Sequence, residues 1–412
     1  MTNHCTLDLA PIGNCAASAL VDRHGRFVWA CAPRVDGDPL FSALLSGRDA
    51  TETTEGIWAI DLIDCVKAEQ TYDRNTPILI TRLTDKRGAI IELVDFCPRY
   101  RRFNRVYRPL AFARIVRPIS GAPRIRVRLT PTRDWGRTVA DVTSGSNHIR
   151  YLAGAVTMRL STTAPVSHIV GAREFRLEND LTFFLGPDEP FNGDVAAEVR
   201  AMHDNTKDYW RQWTRGLATP LEWQAEVIRA AIALKLCVHE ETGAIVAALT
   251  TSIPEAANSG RNWDYRFCWL RDAYYTVQAL NRLGARRCAR RLSQLSAQHH
   301  RLHAQRPHPA RVRRRHGADP AGGDRRYPRR LSRHGPGARR QSGARASPAR
   351  CVRSDRARPH RPSTTRASSA PMGWTISTHS KASASAHTRC IRRRTQACGS
   401  SARARRSTRT PR

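Results

Sequence analysis

The sequence predicts an all-β domain followed by an all-α segment, and three observations carry that order. Up to about residue 200, short apolar runs alternate with turn residues roughly every ten positions. Near residue 203 the apolar spacing lengthens to about 3.6, the period of a helix. Beyond about Arg290 no apolar period survives. Many short strands punctuated in this way indicate a β-sandwich, and strands first with helices afterwards indicate two domains.

The first hairpin is read from Ala19-Leu20-Val21 and Phe27-Val28-Trp29 on either side of His24-Gly25. Gly88 leads into Ala89-Ile90-Ile91-Glu92-Leu93-Val94, a second strand signal. Arg124-Ile125-Arg126-Val127-Arg128-Leu129 alternates strictly, as a strand with one wet face should, and its arginines read as that solvated face. His203 to Arg215, carrying Tyr209, Trp210 and Trp213, reads as a connecting helix. Thr219-Pro220-Leu221-Glu222 supplies a hydroxyl, a proline at the first helical position and a glutamate three residues after the cap, which predicts a capping box. Val227, Ile228, Ala231, Ile232 and Leu234 then line one side, and Thr242-Gly243 marks the stop or the turn after it. A further helix is predicted over about 270–283, with Ala273, Val277 and Leu280 on one face and Gly284 as terminator.

Charge is distributed unevenly, and this decides what the formal net charge of +34 means. Residues 1–286 hold 36 Lys and Arg against 32 Asp and Glu, the balance of an ordinary soluble protein. Residues 287–412 hold 33 basic and 3 acidic residues, with Lys381 the one lysine among them. That segment has no Phe, and its large aromatics are Tyr327 and Trp374. It lacks the apolar surface needed to offset the roughly 1–2 kcal/mol per residue of backbone entropy that ordering costs, so disorder is expected there.

Eleven cysteines without a C-x-x-C or Cys/His ligand spacing give no zinc site and no disulfide framework, and read as reduced, mostly buried thiols. The first twenty residues show no basic stretch followed by a continuous apolar run. No run approaches the roughly 18 apolar residues of a membrane span. The expected compartment is the cytoplasm, with no membrane partner.

The densest mixture of polar and aromatic side chains is Asn262-Trp263-Asp264-Tyr265-Arg266-Phe267-Cys268-Trp269-Leu270-Arg271-Asp272. Sugars need such a mixture, because aromatic rings cover the apolar faces of a pyranose while Arg and Asp form charge-assisted hydrogen bonds to its hydroxyls. Spacing alone leaves a plainer reading open, in which Trp263, Phe267 and Trp269 are core residues and Arg271 and Asp272 form an ion pair or cap.

Three stretches resemble bacterial glycoside hydrolase family 15, the glucoamylase and trehalase type. They are Ile12-Gly13-Asn14-Cys15 through Ala19-Leu20-Val21-Asp22 to Pro33-Arg34-Val35-Asp36; Ala247-Ala248-Leu249-Thr250-Thr251-Ser252-Ile253-Pro254-Glu255; and Arg261-Asn262-Trp263-Asp264-Tyr265-Arg266 through Trp269-Leu270-Arg271-Asp272-Ala273. The resemblance covers about residues 5–287 and implies an N-terminal β super-sandwich, a linker helix and an (α/α)6 barrel. On that basis the sandwich is assigned to residues 1–202, the linker helix to 203–219, the first helices of an incomplete barrel to 220–290, and the arginine-rich tail to 291–412. The resemblance further implies that Tyr265, Trp269, Arg271 and Asp272 grip the non-reducing glucose of an α-glucoside or oligosaccharide, without cofactor or metal.

The reaction implied is hydrolysis of an α-glucosidic bond with inversion, for which one carboxylic acid protonates the leaving oxygen and one carboxylate activates water. The resemblance places both glutamates well after the Trp-Leu-Arg-Asp motif, but this chain has no Glu beyond Glu255. Asp319, Asp324 and Asp355 sit among arginines, and Glu240, Glu241 and Glu255 fall in segments the resemblance assigns to structure, so no catalytic acid or base is identified and the chain is expected to be inactive. Two readings of the tail compete: a basic arm binding nucleic acid electrostatically, or an out-of-frame translation of a GC-rich gene that begins inside a barrel helix. The near absence of lysine and the placing of nine of the fifteen histidines in the tail favour the second. A third reading of the whole chain is a carbohydrate-binding remnant that holds sugar without cleaving it.

Overall fold

Alternation and turn glycines build the β-domain as the sequence predicts. In the computed structural model, residues 7–46, 50, 53–250, 253–254 and 262–285 are described. The expectations for residues 291–412 lie outside the described residues. Ser18–Val21 and Phe27–Ala32 pair as the first hairpin, turned by Gly25 at φ 76°, and Ile90–Phe96 and Arg124–Thr130 are strands.

Two large antiparallel sheets result. One has the order Ala10–Gly13, Ser18–Val21, Phe27–Ala32, Ile57–Leu62, Arg124–Thr130, Glu174–Arg176, with Asp38–Phe41 added beside Phe27–Ala32. The other has eight strands, Asp141–Ser144, His148–Ala153, Val156–Thr162, Leu181–Pro187, Phe112–Ser120, Ile90–Phe96, Leu79–Asp85 and Cys65–Tyr72. Their facing sides share one apolar core, in which Phe27, Phe41 and Trp58 of the first sheet meet Leu93, Phe112 and Phe183 of the second. Successive side chains of a strand point to opposite faces, so Val94, Ala113 and Phe184 lie on the outer side of the eight-stranded sheet. That outer side is covered as well, which explains why Ile90–Phe96 is buried almost throughout rather than at alternate positions.

A buried ion pair crosses this core. Arg114 and Asp95 stand directly opposite on neighbouring strands, both with fully buried side chains, and Arg114 Nε donates to Asp95 Oδ1 at 2.8 Å. The same guanidinium donates to the Trp58 carbonyl at 3.0 Å and to the Gly25 carbonyl on the other sheet, and lies 4.3 Å from the centre of the Phe27 ring. Arg114→Ala strands the Asp95 carboxylate and is expected to lower unfolding free energy by about 3–5 kcal/mol, measured by urea denaturation.

Among the described residues four α-helices follow or interrupt the strands: α1, Val166–Val170; α2, Val195–Arg215; α3, Gln224–Leu236; and α4, Leu270–Arg282. Helix α2 starts eight residues before the predicted His203, because the Asp194 carboxylate accepts the N–H groups of Ala196 and Ala197 and Glu198 occupies the first turn. Its buried stripe, Val199, Thr206, Trp210 and Thr214, is what covers the eight-stranded sheet, through Val199, and meets α3, through Trp210.

The predicted capping box at Thr219 does not form. Helix α3 begins at Gln224 behind Trp223, which has φ 59° and makes no side-chain cap. Packing outweighs the local signal here: Ile232 and Leu236 bury against Trp210 of α2 and Cys15, Ala231 buries against Ala273 and Leu280 of α4, and those contacts fix where the helix runs. The arginines of Arg124–Thr130 need one correction too. Arg124 and Arg126 are wet, but the Arg128 side chain is only 14% exposed, bound to Asp61 at 2.7 Å and to the Thr53 carbonyl at 2.6 Å. Helix α4 matches its prediction closely, burying Ala273 and Leu280 and ending at Gly284 with φ 79°.

Candidate functional site

The chain reaches the candidate sugar residues through a short strand, a turn and a helix start. Asn262–Trp263 pairs with Ile253–Pro254. The Asp264 side chain then accepts the Arg266 N–H at 3.1 Å, an Asx-type turn that reverses the backbone. Residues 265–268 run antiparallel to 246–248: the Ala248 N–H donates to the Tyr265 carbonyl at 2.9 Å, the Ala247 N–H to the Phe267 carbonyl at 3.1 Å, and Val246 bridges Cys268. Two of the three stretches that carry the resemblance are thereby brought side by side. Leu249, in the first of them, packs on the outer side of the seven-stranded sheet.

Trp269 is the extended residue before α4, so Arg271 and Asp272 fall in the helix's first turn, where the aligned peptide dipoles favour an acid. Trp269 meets Trp263 edge to face, ring centres 6.0 Å apart. Arg271 Nη2 lies 3.4 Å from Asp272 Oδ2, the ion pair that the plainer reading expects, yet the Arg271 side chain is 75% exposed. Tyr265 is half-buried in the turn. Two polar atoms of these segments, Thr250 Oγ1 and Trp269 Nε1, are buried without a hydrogen-bond partner among the described residues, and the buried Asp272 Oδ2 has the Arg271 ion pair but no hydrogen bond. Buried polar atoms are ordinarily paired, so an indole donor left open at a helix start beside a carboxylate is what a hydroxyl-bearing ligand would complete.

Sequence reasoning missed the residue that anchors this loop. Arg266 is buried, donates from Nε and Nη2 to Asp264 at 2.9 and 2.7 Å, and from Nη1 to the Gly37 carbonyl at 2.7 Å. The only signal was its spacing of two from Asp264, which many surface pairs share.

A second buried charge cluster joins the β-domain to the helices. Glu240 Oε1 accepts from Arg99 at 2.7 Å and from Lys235 at 3.0 Å, while Arg108 approaches Oε2 at 3.8 Å. Arg99 also donates to the Asn14 carbonyl and to Tyr209, and Asn14 in turn donates to the carbonyls of Pro98 and Pro109. Burial alone would raise the Glu240 carboxyl, but Lys235 and then Arg99 outweigh it and hold it down at about 2. A general acid for glycoside cleavage needs a raised value, so Glu240 does not suit that role, and its oxygens are taken up by Arg99, Lys235 and Arg108. Among the described residues no group of three or more His, Cys, Asp or Glu is placed to hold a metal ion, and Cys15, Cys31, Cys65, Cys97 and Cys237 are free thiols.

The family model of glycosyl hydrolases family 15 matches residues 224–305, and the model of the trehalase-like N-terminal domain matches residues 7–173. Over these two segments the chain is similar to glycosyl hydrolases family 15 and to the trehalase-like N-terminal domain. The family 15 match opens at Gln224, the first residue of α3, and takes in the whole candidate loop, while α2 lies between the two matched segments. Among similar proteins, a trehalase of Thermoplasma volcanium is 28% identical over 293 residues, 66% of this chain and 44% of that protein. A trehalase of Mycolicibacterium smegmatis is 29% identical over 306 residues and one of Mycobacterium tuberculosis 28% over 301, each alignment covering 67% of this chain and 44% of the relative. The chain therefore spans less than half the length of these relatives. No described helix is long and apolar enough to cross a membrane.

Proposed function

We propose that the chain is the sugar-gripping N-terminal part of a family 15 hydrolase acting on an α-linked glucoside, trehalose in the first instance. The observation that carries this reading is Trp269 Nε1, buried without a hydrogen-bond partner beside the Arg271–Asp272 ion pair at the start of α4. The relatives named trehalases support trehalose as substrate class, with maltooligosaccharides as the second choice.

In this reading the rings of Tyr265 and Trp269 cover the apolar face of the non-reducing glucose. Asp272 accepts from its hydroxyls and Arg271 donates to them, the two orienting each other through their ion pair. Cleavage with inversion then needs an acid at the leaving oxygen and a base at the attacking water, two carboxyl groups about 6.5–9.5 Å apart. Neither is assigned to a residue of this chain.

The rest of the helical domain has a visible place in this reading. Leu221, Trp223 and Tyr275 are 96%, 71% and 65% exposed around α3 and α4, apolar surface that further barrel helices would cover. The arginine-rich tail stands where those helices are expected, in keeping with an out-of-frame origin.

Binding tests the site directly. Calorimetry with trehalose on the full chain is expected to show binding that Asp272→Ala weakens about ten- to hundred-fold, the worth of a hydrogen bond to a charged group. Equal affinity in the two proteins would remove Asp272 from the site.

A further inference from the structure

Arg266 enters a socket made entirely by the β-domain. Its Nη1 meets the Gly37 carbonyl at 2.7 Å and Cys31 Sγ at 3.5 Å, and its guanidinium stacks 4.6 Å from the centre of the Trp135 ring. Asp264 closes the remaining side with two hydrogen bonds, so the donors of the fork are nearly all used. The socket is built at some conformational expense. Asp134 and Trp135 take φ of 55° and 62°, a left-handed backbone that costs a residue with a side chain about 1 kcal/mol or more each. The Asp38 carboxylate holds them there, accepting the Asp134 N–H at 2.6 Å and the Trp135 N–H at 2.8 Å. Gly37 fits its turn only as glycine, since a Cβ there would stand 2.4 Å from the Ala32 carbonyl oxygen.

We propose that Arg266 is a positioning residue, through which the β-domain socket of Cys31, Gly37 and Trp135 sets the placement of the sugar-gripping loop. The inference rests on the reading of Tyr265, Trp269, Arg271 and Asp272 as a glucose subsite. Arg266 lies between Tyr265 and Trp269, and the backbone on either side of it is tied to 247–248. With the guanidinium locked in the socket, the turn from 264 to 268 is held at its middle by the sandwich and at its flanks by the neighbouring strand segment. The β-domain is thereby part of the binding site although none of its side chains is assigned to the sugar. Sugar affinity should accordingly respond to a change in Trp135, a residue more than a hundred positions away in sequence.

Trp135→Leu is the deciding variant, because Trp135 is half-buried at a turn and its loss leaves no charge stranded, whereas Arg266→Met would strand Asp264. Two readouts are taken on the full chain: hydrogen exchange at the Ala247 and Ala248 amides, and trehalose affinity by calorimetry. Loss of the stacked ring is expected to speed exchange at both amides and to weaken trehalose about tenfold each, with the sandwich amides of Val94 and Phe183 unchanged. Trp135→Phe, which keeps a ring face for the guanidinium, is expected to restore both. Unchanged exchange at Ala247 and Ala248 overturns the proposal, as does faster exchange with unaltered affinity. If the unaltered chain binds no trehalose, the sugar reading has failed separately, and the exchange result alone decides whether the socket holds the loop.

Discussion

The purified 412-residue chain is expected to release no glucose from trehalose or from maltooligosaccharides, even where calorimetry shows that it binds them. General acid and general base catalysis each contribute roughly 10²–10⁴-fold, so a site with neither is reduced to the background rate on any practical assay. The acids near the loop are already committed. Asp264 is locked to Arg266 at 2.7 Å, and Glu240 is held at about 2 by Lys235 and Arg99 and cannot carry a proton at neutral pH. Asp272 is paired with Arg271 and is assigned to sugar binding in the proposed reading, and Glu255 lies outside the described residues. No glutamate follows Glu255 in the sequence. A coupled glucose assay at millimolar substrate checks this, and turnover that scales with enzyme concentration would show that the carboxylates are present after all. Translation of the gene in its other forward frames beyond the codons for residues 285–300 is expected to yield amphipathic helices and two glutamates. An uninterrupted frame confirmed by resequencing, with the full-length protein detected in cells, would sink that account.

Local chemistry was legible in the sequence and long-range pairing was not. The hairpin around Gly25, the strand after Gly88 and helix α4 up to Gly284 all combine a period with a residue that tolerates positive φ, and all three stand as read. The sheet order has no such local mark: Ile57–Leu62 pairs with Arg124–Thr130, some seventy residues on, because both bury the same face. The buried cations were invisible for a related reason. Arg99, Arg114 and Arg266 interrupt an apolar pattern just as a surface arginine does, and only the fold reveals the carboxylate or carbonyl each was placed to meet. In the candidate site, the loop and its place at the start of a helix were readable, but its anchorage on the sandwich was not.

Glu240→Gln is expected to destabilise the chain by about 3–5 kcal/mol, toward the upper end because two cations lose their counter-charge at once. The Arg99 and Lys235 side chains are 1% and 6% exposed, so water cannot replace the carboxylate, and Arg99 Nε already lacks a partner among the described residues. Removing one negative charge leaves two positive ones buried between the sandwich, α2 and α3. The pH dependence identifies the group. Its folded value of about 2 lies below the ordinary 4.5, so its contribution is complete above that ordinary value and is lost as pH falls through about 2. Urea unfolding should therefore show the two proteins furthest apart at pH 6–7 and converging as pH drops from about 4.5 toward 2. Helix α3 should loosen first, because Lys235 belongs to it, and faster exchange at the Ile232 and Leu236 amides would report that loosening. A gap between the two proteins that stays constant down to pH 2 would assign the loss to packing, and Glu240 would then be a space-filling residue and not the charge that joins the two parts of the chain.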